Sequence, residues 1–204
     1  ACAANLNVSA WHVDHGLRDN SHSEADLVAQ LATQLGAQFE SRTVSVEQGA
    51  NTEARAREAR YNVLPQGVMT GHTADDQAET ILINLLRGSG TRGLAGMQPT
   101  AQRPLLQIRR SETEALCAEL GIAVFNDPSN DDERFQRNRI RHEVLPLMES
   151  LAKRDLVPVL TRQAGLLRDD DDLLNELADA LDPTDALALA SAPIALARRA
   201  IRSW

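Results

Sequence analysis

Cysteine is nearly missing from this 204-residue chain: Cys2 and Cys117 stand far apart and form no CxxC pair. That leaves a disulfide framework and a cysteine-ligated cluster without support. No apolar run is long enough to cross a membrane and no signal peptide is visible, so a cytoplasmic protein is expected. Lysine is as scarce; Lys153 is the sole lysine, and the other Lys/Arg positions are all arginine. Positive charge as a whole is outnumbered, 21 Lys and Arg against 29 Asp and Glu, for a net charge of −8. This balance argues against a protein that coats nucleic acid over its whole surface, while leaving room for a local basic face. Arginine grips phosphate and carboxylate through a planar fork, so its clusters count for more than its total. Internal repeats, HxH and HExxH spacings, and a phosphate loop ending in GKS or GKT are absent too.

What is present is an alternation of strand and helix patterns. "NLNVSAWHV" (Asn5–Val13) is apolar and β-leaning, and reads as a buried strand. "SHSEADLVAQLATQLG" reads as a helix with Ser21 or Ser23 as cap, an apolar face of Ala25, Leu27, Val28, Leu31, Ala32 and Leu35, and Gly36 as its end. "AQFESRTVSV" is a second strand, and "NTEARAREARYNVL" a helix opened by Asn51 or Thr52. "GVMTG" is a short third strand ending at Gly71, followed by the helix "TADDQAETILINLLRGSG", which Gly88 closes. The order predicts an α/β fold, a parallel sheet with flanking helices, with ligands bound beyond the carboxyl ends of the strands. Further on, "RPLLQIRRSETEALCAELGI" reads as a turn, a short strand and a helix capped by Ser111. From about Val144 the pattern is helical and punctuated by Pro146, Pro158, Pro183 and Pro193. A boundary near Leu145 therefore divides the chain into 1–144 and a small all-α region, 145–204. "RDDDDLL" reads as an exposed, acidic helix start.

Both strand-to-helix corners carry polar clusters. In "GHTADDQAET", Gly71 lets the backbone approach a ligand closely, and His72 sits at the corner. Asp75, Asp76 and Glu79 fall in the first turns of the helix, with Asp76 and Glu79 on one face. Acidic residues favour a helix start through the macrodipole alone. Three of them beside a histidine exceed what capping needs, and two carboxylates on one face can hold an ammonium group or Mg²⁺. "HVDHGLR" supplies His12, Asp14 and His15. A metal-hydrolase reading would join these to His72 and Asp76, but His15 lies past the strand that carries the other two. "GSGTRGLAG" follows a helix rather than a strand, which makes it a helix end running into a loop. "RFQRNRIRHEVLP" places Arg134, Arg137 and Arg141 at helical spacing, with Arg139 projecting elsewhere; a solvated basic face and a phosphate or RNA contact both fit.

Taken together, "VDHGLR", "NTEARAREARY", "GHTADDQAETILINLLRGSGTRGLAGM", "RPLL", "DPSN" and "NRIRHEVLP" resemble, in order, the tRNA(Ile)-lysidine synthase family of PP-loop ATP pyrophosphatases. The resemblance covers most of Val8–Leu147, and its most specific part is the GHxxDDQxET…RGSG block. It implies a cytoplasmic ligase that adenylates the wobble cytidine of tRNA(Ile) with ATP, releases pyrophosphate and joins free L-lysine to the base with loss of AMP. It also implies roles. Asp76 and Glu79 would seat lysine and act in catalysis with His72. His12, Asp14, His15 and Gly71 would line the ATP site. Arg103, Arg137, Arg139 and Arg141 would hold tRNA, and Asp75 would bind Mg²⁺. The helical tail would be the start of a substrate-binding region, and a homodimer is open. The family's SGGxDS loop is not in this sequence, and the joins at Pro65–Gln66 and Thr100–Ala101 are short. The expectation is that the sequence omits the phosphate loop and other mobile segments. The rivals are another PP-loop tRNA modifier, such as a thiolase of cytidine or uridine, and a non-catalytic tRNA-binding remnant.

Overall fold

The computed structural model describes residues 6–14, 21–45, 52–124, 130 and 132–204, the side chains of 21–23, 52–54 and 56 excepted. His15 and the capping roles expected of Ser21, Ser23, Asn51 and Thr52 lie outside the described residues. The chain divides into two compact units, Ala1–Met69 with Glu114–Asp127 and Thr70–Thr113 with Pro128–Trp204. This grouping runs differently from the sequence boundary at Leu145, because the helix carrying "ADDQAET" is built into the same unit as the C-terminal helices.

In the first unit, strand β1 (Ser9–Asp14) pairs in parallel with β2 (Gln38–Thr43), in register from Ser9 opposite Gln38 to Asp14 opposite Thr43. Parallel pairing needs a crossover, and helix α1 (Ser21–Gln34) supplies it, packing on both strands and burying Ala32. Helix α2 (Thr52–Val63) follows; on it the Arg57 guanidinium lies 5.0 Å over the Tyr61 ring, one turn away.

The expected third strand does not form among the described residues. Thr70 N–H donates to the Gln102 carbonyl at 2.8 Å, but no ladder extends from it. The reason lies in its neighbour. The short strand expected in "RPLLQI" is instead wound into turns, in which Arg103 N–H donates to Thr100, Leu106 to Arg103 and Ile108 to Leu105. Those donors are spent locally, and Pro104 has none to give. The sheet is therefore two-stranded among the described residues.

The second unit is built on helix α3 (Ala74–Leu86). After it in the chain come the short helix α4 (Thr91–Leu94), α5 (Arg110–Glu119), whose residues from Glu114 on fall in the first unit, α6 (Gln136–Arg139), a π-helical turn (Ile140–Val144), α7 (Leu145–Ala152), α8 (Val157–Asp179), α9 (Ala186–Ser191) and α10 (Ile194–Ser203). Ala74, Ala78 and Leu82 recur every fourth residue on α3 and pack with Ile140, Leu145, Leu156 and Val157. Two alanines in that stripe let neighbouring backbone come close. Ile140, 1% exposed, fills the space they leave. Truncating it to alanine would cost about 2–5 kcal/mol.

Two helix-start expectations need correction. Helix α5 begins at Arg110, ahead of Ser111, and it is the Glu112 carboxylate that accepts from Arg109 N–H at 2.8 Å. "RDDDDLL" is not a helix start but the interior of the 23-residue α8. Of its acidic residues Asp171 is buried, because this position faces α10 while its neighbours face water. Asp171 accepts from Arg199 Nη1 and Thr91 Oγ1, at 2.7 and 2.8 Å, and from Asn175 at 3.1 Å.

Candidate active site

The site grows from the first turn of α3. Thr73 is extended (φ −103°, ψ 177°), and its hydroxyl accepts from Asp76 N–H at 3.4 Å. In return Asp76 Oδ2 accepts from both the N–H and the O–H of Thr73 at 2.8 Å. This reciprocal capping box satisfies donors that a helix start leaves without partners. It also fixes the rotamer of Asp76, so that Oδ1 is the oxygen left to face other groups. Thr80 is tied to the same turn, donating to the Asp76 carbonyl at 2.8 Å.

Four arginines from outside α3 converge on its carboxylates. Arg109 donates to Asp75 through Nε and Nη2, and Arg110 N–H reaches Asp75 Oδ2 at 2.7 Å. Arg109 also pairs with Asp155. Arg110 Nη2 stands between Asp76 Oδ1 at 3.3 Å and Glu79 Oε1 at 3.2 Å. Arg141 grips Glu79 with Nε at 2.7 Å and Nη2 at 3.3 Å. Arg137 Nε lies 3.5 Å from Glu79 Oε2, and its Nη2 donates to Thr80 Oγ1 at 3.2 Å. Glu79 is 1% exposed. A carboxylate so deep needs this many donors to stay charged.

Burial pushes the Asp76 carboxyl up, but the Thr73 hydrogen bonds and the nearby Arg110 and Arg137 outweigh it and hold it below the usual carboxylate value. Asp75 is likewise raised by burial and lowered more by the Arg109 and Arg110 hydrogen bonds. Burial lowers Arg141, yet its bond to Glu79 leaves it above the usual arginine value. Asp75, Asp76 and Arg141 are thus each shifted toward their charged forms.

The structure brings Asp75, Asp76, Glu79, Arg137 and Arg141 together. His72, half-buried at the corner, shares a 2.7 Å hydrogen bond between its Nδ1 and Thr70 Oγ1. No described atom comes within 4 Å of where a Cβ would sit on Gly71, so the surrounding chain does not itself require glycine there. Arg139 turns away and pairs with Glu143 one turn on, while Arg103 donates to the Gln98 carbonyl at 3.0 Å. In the first unit His12 is half-buried on β1, with Nε2 buried and unpartnered, and Asp14 is buried at the end of the same strand. Among the described residues no three His, Cys, Asp or Glu side chains are grouped to hold a metal. Both Asp75 oxygens are taken by arginine donors. This is a poor fit for Mg²⁺, which takes carboxylate oxygens for itself.

The loop after α3 is clamped from the same helix. Gln77 exchanges two hydrogen bonds with the Met97 backbone, at 2.7 and 3.0 Å, and Asn84 Nδ2 donates to the Gly93 carbonyl at 2.7 Å. Arg168 of α8 donates to the Ala95 and Met97 carbonyls at 2.6 and 3.1 Å. "GSGTRGLAG" is a helix end running into a loop, as the sequence suggests, but the loop contains the short helix α4 and is held down by side chains from α3 and α8.

Sequence reasoning missed Arg109, Arg110 and Asp155. One signal was available: two adjacent arginines at a helix start oppose the macrodipole, and call for carboxylate partners.

Comparison with known proteins accords with this geometry. The PP-loop domain family matches residues 1–148. The chain is 43% identical over 220 residues to the tRNA(Ile)-lysidine synthase of Rhodococcus erythropolis, covering all of this chain and 68% of that protein. It is 42% identical over 225 residues to that of Mycobacterium bovis, covering 100% and 69%. For Thermobifida fusca the figures are 40% over 217 residues, 97% and 67%. In fold it is similar to the U34-tRNA thiolase NcsA from Methanococcus maripaludis with its 4Fe–4S cluster. That likeness has a TM-score of 0.61 at 15% identity, over 79% of this chain and 63% of the other. The match over residues 1–148 makes this a PP-loop, ATP-binding protein, in keeping with its parallel strands and flanking helices. Within that class the chain belongs to the tRNA(Ile)-lysidine synthase family.

Proposed function

We propose that this protein is an ATP-dependent ligase that converts the wobble cytidine of tRNA(Ile) to lysidine. The base oxygen attacks the α-phosphorus of ATP and pyrophosphate leaves. An amine of free L-lysine then attacks the activated ring carbon and AMP leaves. The observation that carries the reading is identity of 40–44% to lysidine synthases along essentially the whole chain.

Residue roles follow the chemistry each position offers. Asp76 Oδ1 and Glu79 Oε1 already share one cationic nitrogen, which is what seating a lysine ammonium requires. His72 stands at the head of the same helix for proton transfer near the reacting base. Gly71 offers bare backbone to the nucleotide, and His12, Asp14 and His15 are assigned to the ATP side. Arg137 and Arg141 pair with Glu79 and hold it in place. Exposed Arg139, together with Arg103, is assigned to tRNA phosphates. Mg²⁺ is assigned to the ATP itself rather than to Asp75. Residues 1–144 serve as the synthetase part and 145–204 begin the substrate-binding part. The enzyme works in the cytoplasm, where tRNA and free lysine are both present, and its assembly as a homodimer is a further proposal.

The test is lysine-dependent release of pyrophosphate and AMP by the full-length protein, with and without tRNA(Ile), together with radiolabelled lysine incorporation. Incorporation confined to tRNA(Ile) is expected. Release without incorporation, or sulfur transfer in its place, would overturn the reading.

A further inference from the structure

A nitrogen of the protein itself hydrogen-bonds both carboxylates of the lysine seat. Arg110 Nη2 lies 3.3 Å from Asp76 Oδ1 and 3.2 Å from Glu79 Oε1. A substrate ammonium seated between the same oxygens would need the same space. Charge makes the same point. Arg109, Arg110, Arg137 and Arg141 face Asp75, Asp76, Glu79 and Asp155, cation for carboxylate. An added ammonium would leave one uncompensated positive charge in a partly buried cluster, unless one cation withdrew.

The geometry singles out which. Arg141 holds Glu79 with two nitrogens, a fork that resists exchange. Arg109 is shared between Asp75 and Asp155. Arg137 is tied to Thr80 as well as Glu79. Arg110 hydrogen-bonds both seat carboxylates through a single nitrogen of a side chain that is 29% exposed, whereas Arg141, which also comes within 3.9 Å of Asp76 Oδ1, is committed to its fork on Glu79. Its backbone N–H is anchored to Asp75 Oδ2 at 2.7 Å, so the side chain can swing toward solvent while its base stays fixed.

We infer that the Arg110 guanidinium is a resident stand-in for the substrate cation, which free lysine displaces on binding one-for-one. This rests on the assignment of Asp76 and Glu79 as the lysine seat and adds what occupies the seat when lysine is absent. Arg110 then sets the lysine concentration at which the enzyme works. It also keeps the seat closed to cations that compete weakly with a tethered guanidinium.

The experiment measures the KM for lysine in tRNA(Ile) modification by the full-length protein and its variants. KM is independent of the fraction of protein that folds. Arg110→Ala is expected to lower the KM for lysine about two- to five-fold, the range of a partly exposed ion pair. Arg110→Lys, which keeps a tethered cation, is expected to stay near wild type. Ethylguanidinium added to Arg110→Ala is expected to compete with lysine and raise its KM back toward wild type. An unchanged or increased KM in Arg110→Ala would overturn the displacement, as would an equal fall in Arg110→Lys or indifference to ethylguanidinium. Asp76→Asn and Glu79→Gln serve as the separate check. If neither weakens lysine, the seat assignment itself fails, whatever Arg110 does.

Discussion

Arg141 Nε donates to Glu79 Oε1 at 2.7 Å while its Nη2 reaches Oε2 at 3.3 Å, closing a fork between residues 62 positions apart in the chain. Glu79 is 1% exposed, so its charge is met by arginine and almost not at all by water. The π-helical turn of Ile140–Val144 places Arg141 for this, sending Ile140 into the core and the next residue toward Glu79. The carboxylate thereby joins the charge cluster of the site to the packing of the unit.

Glu79→Gln is therefore expected to lower stability as well as activity. It leaves Arg110, Arg137 and Arg141 without the charge they converge on. Removing one partner of a buried ion pair costs about 3–5 kcal/mol, and the partly exposed arginines place this variant near the lower figure. Urea denaturation would measure the loss; a change below about 1 kcal/mol would contradict the buried-keystone reading.

Thr73→Ala removes the hydroxyl that closes the capping box on Asp76. A loss of about 1 kcal/mol is expected, with Thr73→Ser close to wild type because it keeps the oxygen. Thermal unfolding of the pair decides it. Equal losses in both variants would point to the methyl group rather than the cap.

Acid should weaken the fold through Asp75, Asp76 and Asp171, whose carboxyls are all held below the ordinary value of 3.8. For each, burial acts upward and hydrogen bonds from neighbouring arginines, threonines or asparagine outweigh it. In the window between the lowered and ordinary values the unfolded chain binds more protons than the folded one. Their contribution is thus fully present above about pH 4 and is lost as pH falls through the lowered values. Urea midpoints measured from pH 6 down to pH 2 should drop in that window, and Asp76→Asn should flatten the drop. An acid limb unaltered by Asp76→Asn would remove Asp76 from the account.

Gly96 sits at φ +64°, and a Cβ there would meet the Gln77 amide at 2.7 Å. Gly96→Ala is expected to cost about 1–3 kcal/mol by straining the backbone and breaking the Gln77 clamp on Met97. Gly90, at φ −76° with nothing within 4 Å of its would-be Cβ, should accept alanine with little change. Matching melting temperatures for the two variants would mean the clamp does not matter.

Asp171→Ala and Asp170→Ala differ by one position in an acidic run. The first strips Arg199, Thr91 and Asn175 of their shared partner and should cost about 3 kcal/mol. The second alters an exposed side chain and should stay within about 0.5 kcal/mol. Chemical denaturation of both would show whether burial or composition governs that stretch.

Much of α3 was legible from local spacing. The acidic first turn and the end at Gly88 are read correctly from it, whereas the Thr73–Asp76 capping box and the buried stripe of Ala74, Ala78 and Leu82 come from the structure. The split of Arg137 and Arg141 from Arg139 also follows from helical phase. The third strand failed because "GVMTG" has β character only if a neighbour offers a free ladder edge, and residues 100–108 spend their donors on turns. "RDDDDLL" was misread because net charge hides phase: four adjacent aspartates point in four directions, and one of them meets α10.

The sequence by itself determined the alternation from β1 to α2, the acidic residues at the head of α3 and membership of the family, since each depends on residues a few positions apart or on ordered motifs. Only the tertiary structure decided which cations those carboxylates meet. Arg110 lies 31 positions from Glu79 and Arg141 62, and no local periodicity links them. Burying Ala74, Ala78 and Leu82 against Ile140 and Val157 fixes how α3 sits. Once that face is committed to the core, Glu79 beside it is carried out of water, and arginines alone remain to hold its charge.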